Sequence, residues 1–228
     1  MARTATPGLF PRIVDAGLAT FIRRGYRHTR ISDVARAAGI APGTVYLYVT
    51  GKEALFALAL RVAFDEPNAL DVETPYGAVS VRWVDDIWAR LRARDPLGEL
   101  RRAVRRKPQV TPPPDEWNRF LRLAWSWMAR HARALSLIEA CADDWPELGL
   151  LYFQQFRRDA LDLLSRYIGA RSARGMFAPI PDADVAARVV VEVMAWFTMH
   201  RQRDPDAAEL AGRPFDNTII PMLERAFQ

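Results

Sequence analysis

Residues 29–55 read TRISDVARAAGIAPGTVYLYVTGKEAL. In the first part Val34, Ala35 and Ala38 share one helical face, and Thr29 stands where a residue can cap the start of that helix. Gly39 ends it. Ala41-Pro42-Gly43-Thr44 then opens a second helix, with Pro42 at the first helical position, where its missing N–H costs nothing. That helix is expected to reach about Val49 before Thr50-Gly51 breaks it. Two short helices around a tight glycine turn make a helix-turn-helix, whose second helix can lie in a DNA major groove with its first residues at the base edges. Taken as a bare pattern this is a weak signal, because helical proteins contain many such corners.

The flanks agree with it. Upstream, Phe10, Ile13, Val14, Gly17, Leu18 and Phe21 form the stripe of an amphipathic helix that stops at Gly25. Downstream, Lys52 to about Asp65 places Leu55, Phe56, Ala59 and Val62 on one side, and Pro67 ends it. Further along no strand-like alternation of useful length occurs. Helices are expected over about Val79–Arg92, Leu97–Lys107, Asp115–Cys141, Pro146–Ile168, Asp182–Arg203 and Asp216–Phe227. Pro112, Pro113 and Pro114 demand an extended loop. The fold class is therefore all-α with nine or ten helices. A DNA-binding domain at residues 6–65 precedes a helical bundle at residues 66–228.

Charge is unevenly placed. Residues 1–50 hold seven arginines (Arg3, Arg12, Arg23, Arg24, Arg27, Arg30, Arg36) against Asp15 and Asp33, a net +5. Residues 51–228 hold 25 bases and 25 acids, so the whole excess of the 228-residue chain lies in its first fifth. A polyanion is the natural partner of such an asymmetry, and a solvated basic surface is the plain alternative. The chain is 50% hydrophobic, too apolar for a disordered protein and long enough to bury a core without metal or disulfide staples. Its one cysteine, Cys141, excludes an internal disulfide. No apolar run has the length of a membrane span, and the N-terminus lacks a signal-peptide h-region. A cytoplasmic protein is expected.

The series Arg12-Ile13-Val14-Asp15-Ala16, Phe21, Gly25-Tyr26, Thr29, Asp33-Val34-Ala35, Ala38-Gly39-Ile40, Gly43-Thr44-Val45-Tyr46, Tyr48 and Lys52-Glu53-Ala54-Leu55 resembles the TetR family of bacterial transcriptional regulators over about residues 8–62. The resemblance implies a role for each matching position. Thr29 and Arg30 meet phosphate at the start of the second helix, and Pro42, Gly43 and Thr44 approach the bases. Tyr46 and Tyr48 contact backbone or bases, or alternatively pack the small domain. Lys52 anchors a phosphate, and Leu47 points outward to a thymine methyl. Val45 and Ile40 read as core. Two positions depart from the family's usual pattern. Ala41 cannot cap the recognition helix as Ser or Thr does, and Pro42 replaces a frequent Lys or Arg. Readout here then leans on Thr44, apolar contacts and DNA shape.

The resemblance also implies a double-stranded operator, a homodimer matching its two-fold symmetry, and a small-molecule effector held in the second domain. All seven Trp lie outside the DNA-binding segment. Trp88, Trp125, Met128, Phe153 and Trp196 are candidates for an apolar, aromatic pocket, with core packing as the alternative for each. The last two long helices are candidates for the dimer face, through Leu150, Gln154, Leu161 and Leu164 and through Val189, Val193, Trp196 and Phe197. The basic run Arg101–Lys107 reads as a solvated helix face. Enzyme chemistry is thin. His28, His131 and His200 are scattered, Cys141 has no neighbouring His, and neither a phosphate loop nor a nucleophile elbow occurs. No cofactor and no metal are expected. Two other classes stay open: a regulator answering to a protein partner, and an all-α enzyme with an incidental helix-turn-helix.

Overall fold

A computed structural model describes residues 8–77, 89, 97–106 and 115–228. Among them every regular element is helical apart from one isolated parallel bridge between Val49 and Tyr76. The helices are α1 (Leu9–Arg24), α2 (Ile31–Ala37), α3 (Pro42–Val45), α4 (Lys52–Ala63), α5 (Leu97–Val104), α6 (Glu116–Arg130), α7 (Ala132–Cys141), α8 (Pro146–Gly149), α9 (Arg158–Ser172), α10 (Ala183–Thr198) and α11 (Asp216–Arg225). A π-helical stretch, Leu150–Arg157, joins α8 to α9, and two 3₁₀ turns, His200–Arg203 and Pro205–Leu210, follow α10. The expected helix at Val79–Arg92 and the triple-proline loop fall outside the described residues. No described helix is long and apolar enough to cross a membrane.

Several expected helices differ: the one at Pro146–Ile168 contains the π-helical stretch, the one at Asp182–Arg203 ends its α-helical part at Thr198, and two more differ as follows. The long helix from Asp115 breaks at His131. There the backbone turns to φ −99, ψ 14. The ring Nδ1 lies 2.8 Å from the Trp127 carbonyl that already accepts the His131 amide at 3.0 Å. The recognition helix is shorter than expected. Its α-helical part ends at Val45, and single turns continue it, with the Tyr48 and Val49 amides both donating to the Val45 carbonyl at 3.0 and 3.1 Å.

The chain divides into two compact units, Met1–Ala89 with Arg133–Tyr152, and Arg90–Ala132 with Phe153–Gln228. In the first, α1 and α4 face each other through Ile13, Val14, Leu18 and Phe21 on one side and Leu55, Phe56 and Ala59 on the other, all buried. Phe21 meets Phe56 edge-on at 5.3 Å. Each of these side chains larger than Ala59 contributes about 1.5–3 kcal/mol by leaving water. This unit is wider than residues 6–65. Asp15 pairs with Arg133 at 2.7 Å, and Trp145 rests on Tyr26 and Phe56 at 4.7 and 5.6 Å between ring centres.

The second unit has its own core, built from α5, α6, α9, α10 and α11 around Leu100, Leu121, Ile168, Val190 and Ile220. Trp117 stands in an aromatic nest of Phe120, Tyr167, Phe177 and Phe227, at 5.1–5.7 Å between centres. Next to it Glu116, 6% exposed, accepts from Arg171 at 2.6 Å and from the Tyr167 hydroxyl at 3.1 Å, and pairs with Arg106 at 2.5 Å. One buried carboxylate thereby ties the end of α5 and the end of α9 to the start of α6. Desolvation pushes the Glu116 pKa up, but the bonds from Arg171 and Arg106 and their charges outweigh it and hold the group below its ordinary 4.5. Burial and the adjacent Glu116 push the Tyr167 hydroxyl up to about 12.

Removing the carboxylate leaves two guanidinium groups facing each other. Glu116→Gln is expected to lower unfolding stability by about 3 kcal/mol, read by urea denaturation at neutral pH. Because the folded pKa is lowered, the stabilisation is complete above about 4.5 and is lost as pH falls through the folded value. The difference between wild type and Glu116→Gln should therefore shrink on acidification below pH 4.5 and stay constant from pH 5 to 8.

Candidate nucleic-acid interface

The geometry of the helix-turn-helix is set by the turn between α1 and α2. Gly25, at φ +76, lies in the left-handed region, and a Cβ on it would sit 2.8 Å from Asp144 Oδ2 and 3.1 Å from the Ala140 carbonyl. Both conformation and space require glycine there. Asp144 Oδ2 accepts the Arg27 amide at 2.7 Å. Thr29, expected to cap α2 and to meet phosphate, is only 1% exposed, and its hydroxyl donates to the Gly25 carbonyl at 2.7 Å. That hydroxyl faces inward because the turn has already consumed its direction. The start of α2 is served from within, where Asp33 Oδ2 accepts the Arg30 amide at 3.2 Å. Desolvation raises the Asp33 pKa, but this bond, the bond from Arg24 and the charges of Arg24 and Arg36 give a net lowering.

The second helix is presented differently. Val45 is fully buried and pins α3 to the core, while Tyr46 and Leu47 are 51% and 47% exposed. Pro42 and Gly43 are exposed and Thr44 is half-buried. Ala41, in extended backbone with no side-chain bond, starts the helix, and Pro42 occupies its first turn. Tyr48 turns inward: it is 5% exposed and stacks on Phe10 at 5.4 Å. Of the two tyrosines only Tyr46 faces solvent. Ile40, expected in the core, is partly buried. Lys52 is partly buried too. Its ammonium donates to the Tyr26 carbonyl at 2.9 Å and lies 4.3 Å above the Tyr26 ring, so it ties the start of α4 to the end of α1.

The arginines divide into two groups. Arg12 donates to the Ala38 carbonyl at 2.6 Å and so closes α2. Arg24 and Arg36 pair with Asp33 at 2.6 and 3.3 Å. Arg23, Arg27 and Arg30 are exposed and make no ion pair among the described residues. The helix-turn-helix segment thus offers exposed Tyr46, Leu47, Pro42 and Gly43, and the same unit carries exposed guanidinium groups without an ion pair among the described residues. That is the chemistry that base edges and phosphates ask for.

Residues 13–59 match the family model described as bacterial regulatory proteins, tetR family. They belong to the TetR family. A curated relative, the fatty acid metabolism regulator protein of Bacillus subtilis strain 168, is 39% identical over 44 residues, 19% of this chain and 23% of that protein. The chain spans about a quarter of the length of that relative. A solved structure of a probable transcriptional regulatory protein, RHA5900, is similar over 96% of both chains, with TM-score 0.55 and 16% identity. A bacterial regulatory protein in the tetR family from Rhodococcus RHA1 is similar over 97% of this chain and 98% of its own, with TM-score 0.50 and 17% identity. At such identities the likeness is one of fold alone.

The effector candidates are placed less coherently. Trp88 lies outside the described residues. Trp125 and Met128 are partly buried against the core of the second unit. Phe153 lies on the π-helical stretch, with the Arg157 guanidinium 5.9 Å from its ring centre. Trp196 is 39% exposed and meets Phe197 edge-on at 5.2 Å. Another aromatic pair, Trp127 and Phe156, outside those five candidates, lies at 5.5 Å, with the His131 ring 5.0 Å from Trp127. Helical spacing alone does not select these residues. Among the described residues no group of His, Cys, Asp or Glu is arranged to hold a metal.

The inward hydroxyl of Thr29 gives a clean test of placement. Thr29→Val keeps the shape and leaves the buried Gly25 carbonyl without that donor, at a cost of about 1–2 kcal/mol. The expected result is a lower melting temperature for the Phe21–Phe56 unit, with the salt dependence of DNA binding unchanged at temperatures where the variant is folded.

Proposed function

We propose that this chain is a transcriptional regulator that binds a palindromic DNA operator as a homodimer and represses by occupying it. The observation that carries the reading is the outward pair Tyr46 and Leu47, held on a buried Val45, in a unit where Arg27 and Arg30 are exposed and make no ion pair among the described residues. Tyr46 and Thr44 read base edges or adjacent phosphates, Leu47 touches a thymine methyl, and Arg30 with the amides at the start of α2 positions the phosphate backbone. Lys52 fixes the angle of α4 against α1 and adds its charge to the same region.

For dimerisation, α10 supports the reading with an apolar stripe at helical spacing. Val185, Val189 and Trp196 are 58%, 51% and 39% exposed. An isologous pairing of such stripes around a two-fold axis presents two heads to two half-sites. For the effector, the aromatic stock of the second unit, including Trp127 and Phe156, favours a small hydrophobic or aromatic compound. The relative named as a fatty acid metabolism regulator makes fatty acids a second class to assay. Such a ligand releases DNA by binding more tightly to a state that cannot span both half-sites, and only its differential affinity counts. The compartment that goes with this role is the bacterial cytoplasm.

Thr44→Ala and Tyr46→Ala are each expected to weaken operator binding by about 1–3 kcal/mol, measured by fluorescence anisotropy, with unchanged thermal melts. Arg30→Ala should weaken binding to all duplexes alike and reduce the slope of log affinity against log salt by about 1. Normal operator affinity in all three variants contradicts the reading.

A further inference from the structure

We propose that residues 65–77 form an acidic strap that excludes DNA phosphates from the far end of the recognition segment and so suppresses non-specific binding. The inference rests on the DNA-binding reading above. After α4 ends, the chain does not leave the DNA-binding unit. It turns at Asp65 and Asn68, both with positive φ, and runs back to the residues that follow α3. There the Tyr76 amide donates to the Tyr48 carbonyl at 2.8 Å, and the Tyr76 carbonyl accepts the Thr50 amide at 2.9 Å. Gly77 follows in close quarters, since a Cβ on it would stand 2.8 Å from Thr50 Cγ2. Ala69, 7% exposed, anchors the middle of the strap.

The strap is short of positive charge. Residues 65–77 contain Asp65, Glu66, Asp71 and Glu73 and no Lys, Arg or His. Glu66 pairs with Arg61 at 3.0 Å. Asp65, Asp71 and Glu73 are exposed and make no ion pair among the described residues. Glu73 is three residues from Tyr76, so its backbone lies within about 10 Å of the Tyr48–Thr50 bridge. That is comparable to the Debye length of about 10 Å at 0.1 M salt. One or two residues before the bridge come the exposed Leu47 and Tyr46. Glu73 therefore stands close to the chain that directly follows Tyr46 and Leu47, with Asp71 two residues behind it.

The consequence is orientational. Non-specific binding is almost wholly electrostatic and samples many poses. Poses that bring phosphates over the strap meet like charge, which opposes wrong partners more than it opposes the one docked geometry that keeps clear of it. Neutralising the strap then opens poses on random DNA while changing the operator complex little. The strap is a specificity determinant because of where its charge lies, not because of the net charge of the chain.

The test compares wild type with Asp71→Asn/Glu73→Gln and with a control, Asp143→Asn/Glu147→Gln, which removes two exposed carboxylates from another segment of the same unit. The probe is a mixed-sequence duplex of about 30 base pairs, long enough to hold a whole dimer, titrated at about 0.05 M and 0.3 M salt. The strap variant is expected to bind it about fivefold more tightly at low salt, with the gain vanishing at high salt and the control near wild type. Equal gain in the control, or no gain in the strap variant, overturns the proposal while leaving the DNA-binding reading intact. Absence of salt-sensitive duplex binding by wild type overturns both. Gly77→Val, which pushes the strap off Thr50, is a second variant and should move affinity in the same direction; a loss of random-duplex affinity in a folded Gly77→Val contradicts the account.

Discussion

The turn at residues 25–29 holds the DNA-binding unit together. Four elements meet on it. Its glycine takes a left-handed conformation against Asp144, its Tyr26 carbonyl receives the Lys52 ammonium, its Arg27 amide is bound by Asp144, and its Thr29 hydroxyl returns to Gly25. Each bond contributes on the order of 1 kcal/mol. Their joint effect is geometric, because they fix the angle at which α2 leaves α1, and α2 fixes α3. The aromatic cluster of Phe21, Phe56, Tyr26 and Trp145 includes Tyr26 of the same turn. Packing supplies most of the stability there, and the polar bonds select one arrangement of it.

Charge follows the same division of labour. Half of the described arginines in the first fifth of the chain, Arg12, Arg24 and Arg36, are engaged in closing α2 or pairing with Asp33. The rest, Arg23, Arg27 and Arg30, are exposed and make no ion pair among the described residues. In the second unit Glu116 gathers two arginines in a buried cluster that joins three helices. Its contribution is specific rather than strongly favourable, since desolvation offsets much of the attraction. Surface arginines are available to a partner, whereas buried ones hold helices to one another.

Much of this was legible in the sequence. The stripe of α1, the glycine stops, Pro42 at the first turn and the buried Val45 follow from periodicity and backbone preference. The charge asymmetry follows from counting. What escaped was direction. Thr29 and Tyr48 are polar enough to suggest DNA contact, yet the fold points them inward, because neighbouring turns set their phase and leave a buried carbonyl and a Phe10 face to satisfy. The break at His131 has no Gly or Pro to announce it. The π-helical stretch has no composition of its own. The strap was invisible for a stronger reason: its anchor is a pair of backbone bonds at Tyr76, and backbone groups are the same in every residue. Among pocket candidates, helical spacing could not separate Trp125, packed on the core, from Trp127, set against Phe156.

The account turns on one claim, that the surface carrying Tyr46 and Leu47 reads sequence as part of a two-fold dimer. Selection of bound duplexes from a fully randomised library by the purified chain, at about 0.15 M salt, tests it most directly. The account predicts an enriched inverted repeat whose half-site centres lie about one helical turn or a multiple of it apart. Binding without any enriched sequence, falling steeply and uniformly with salt, would contradict it.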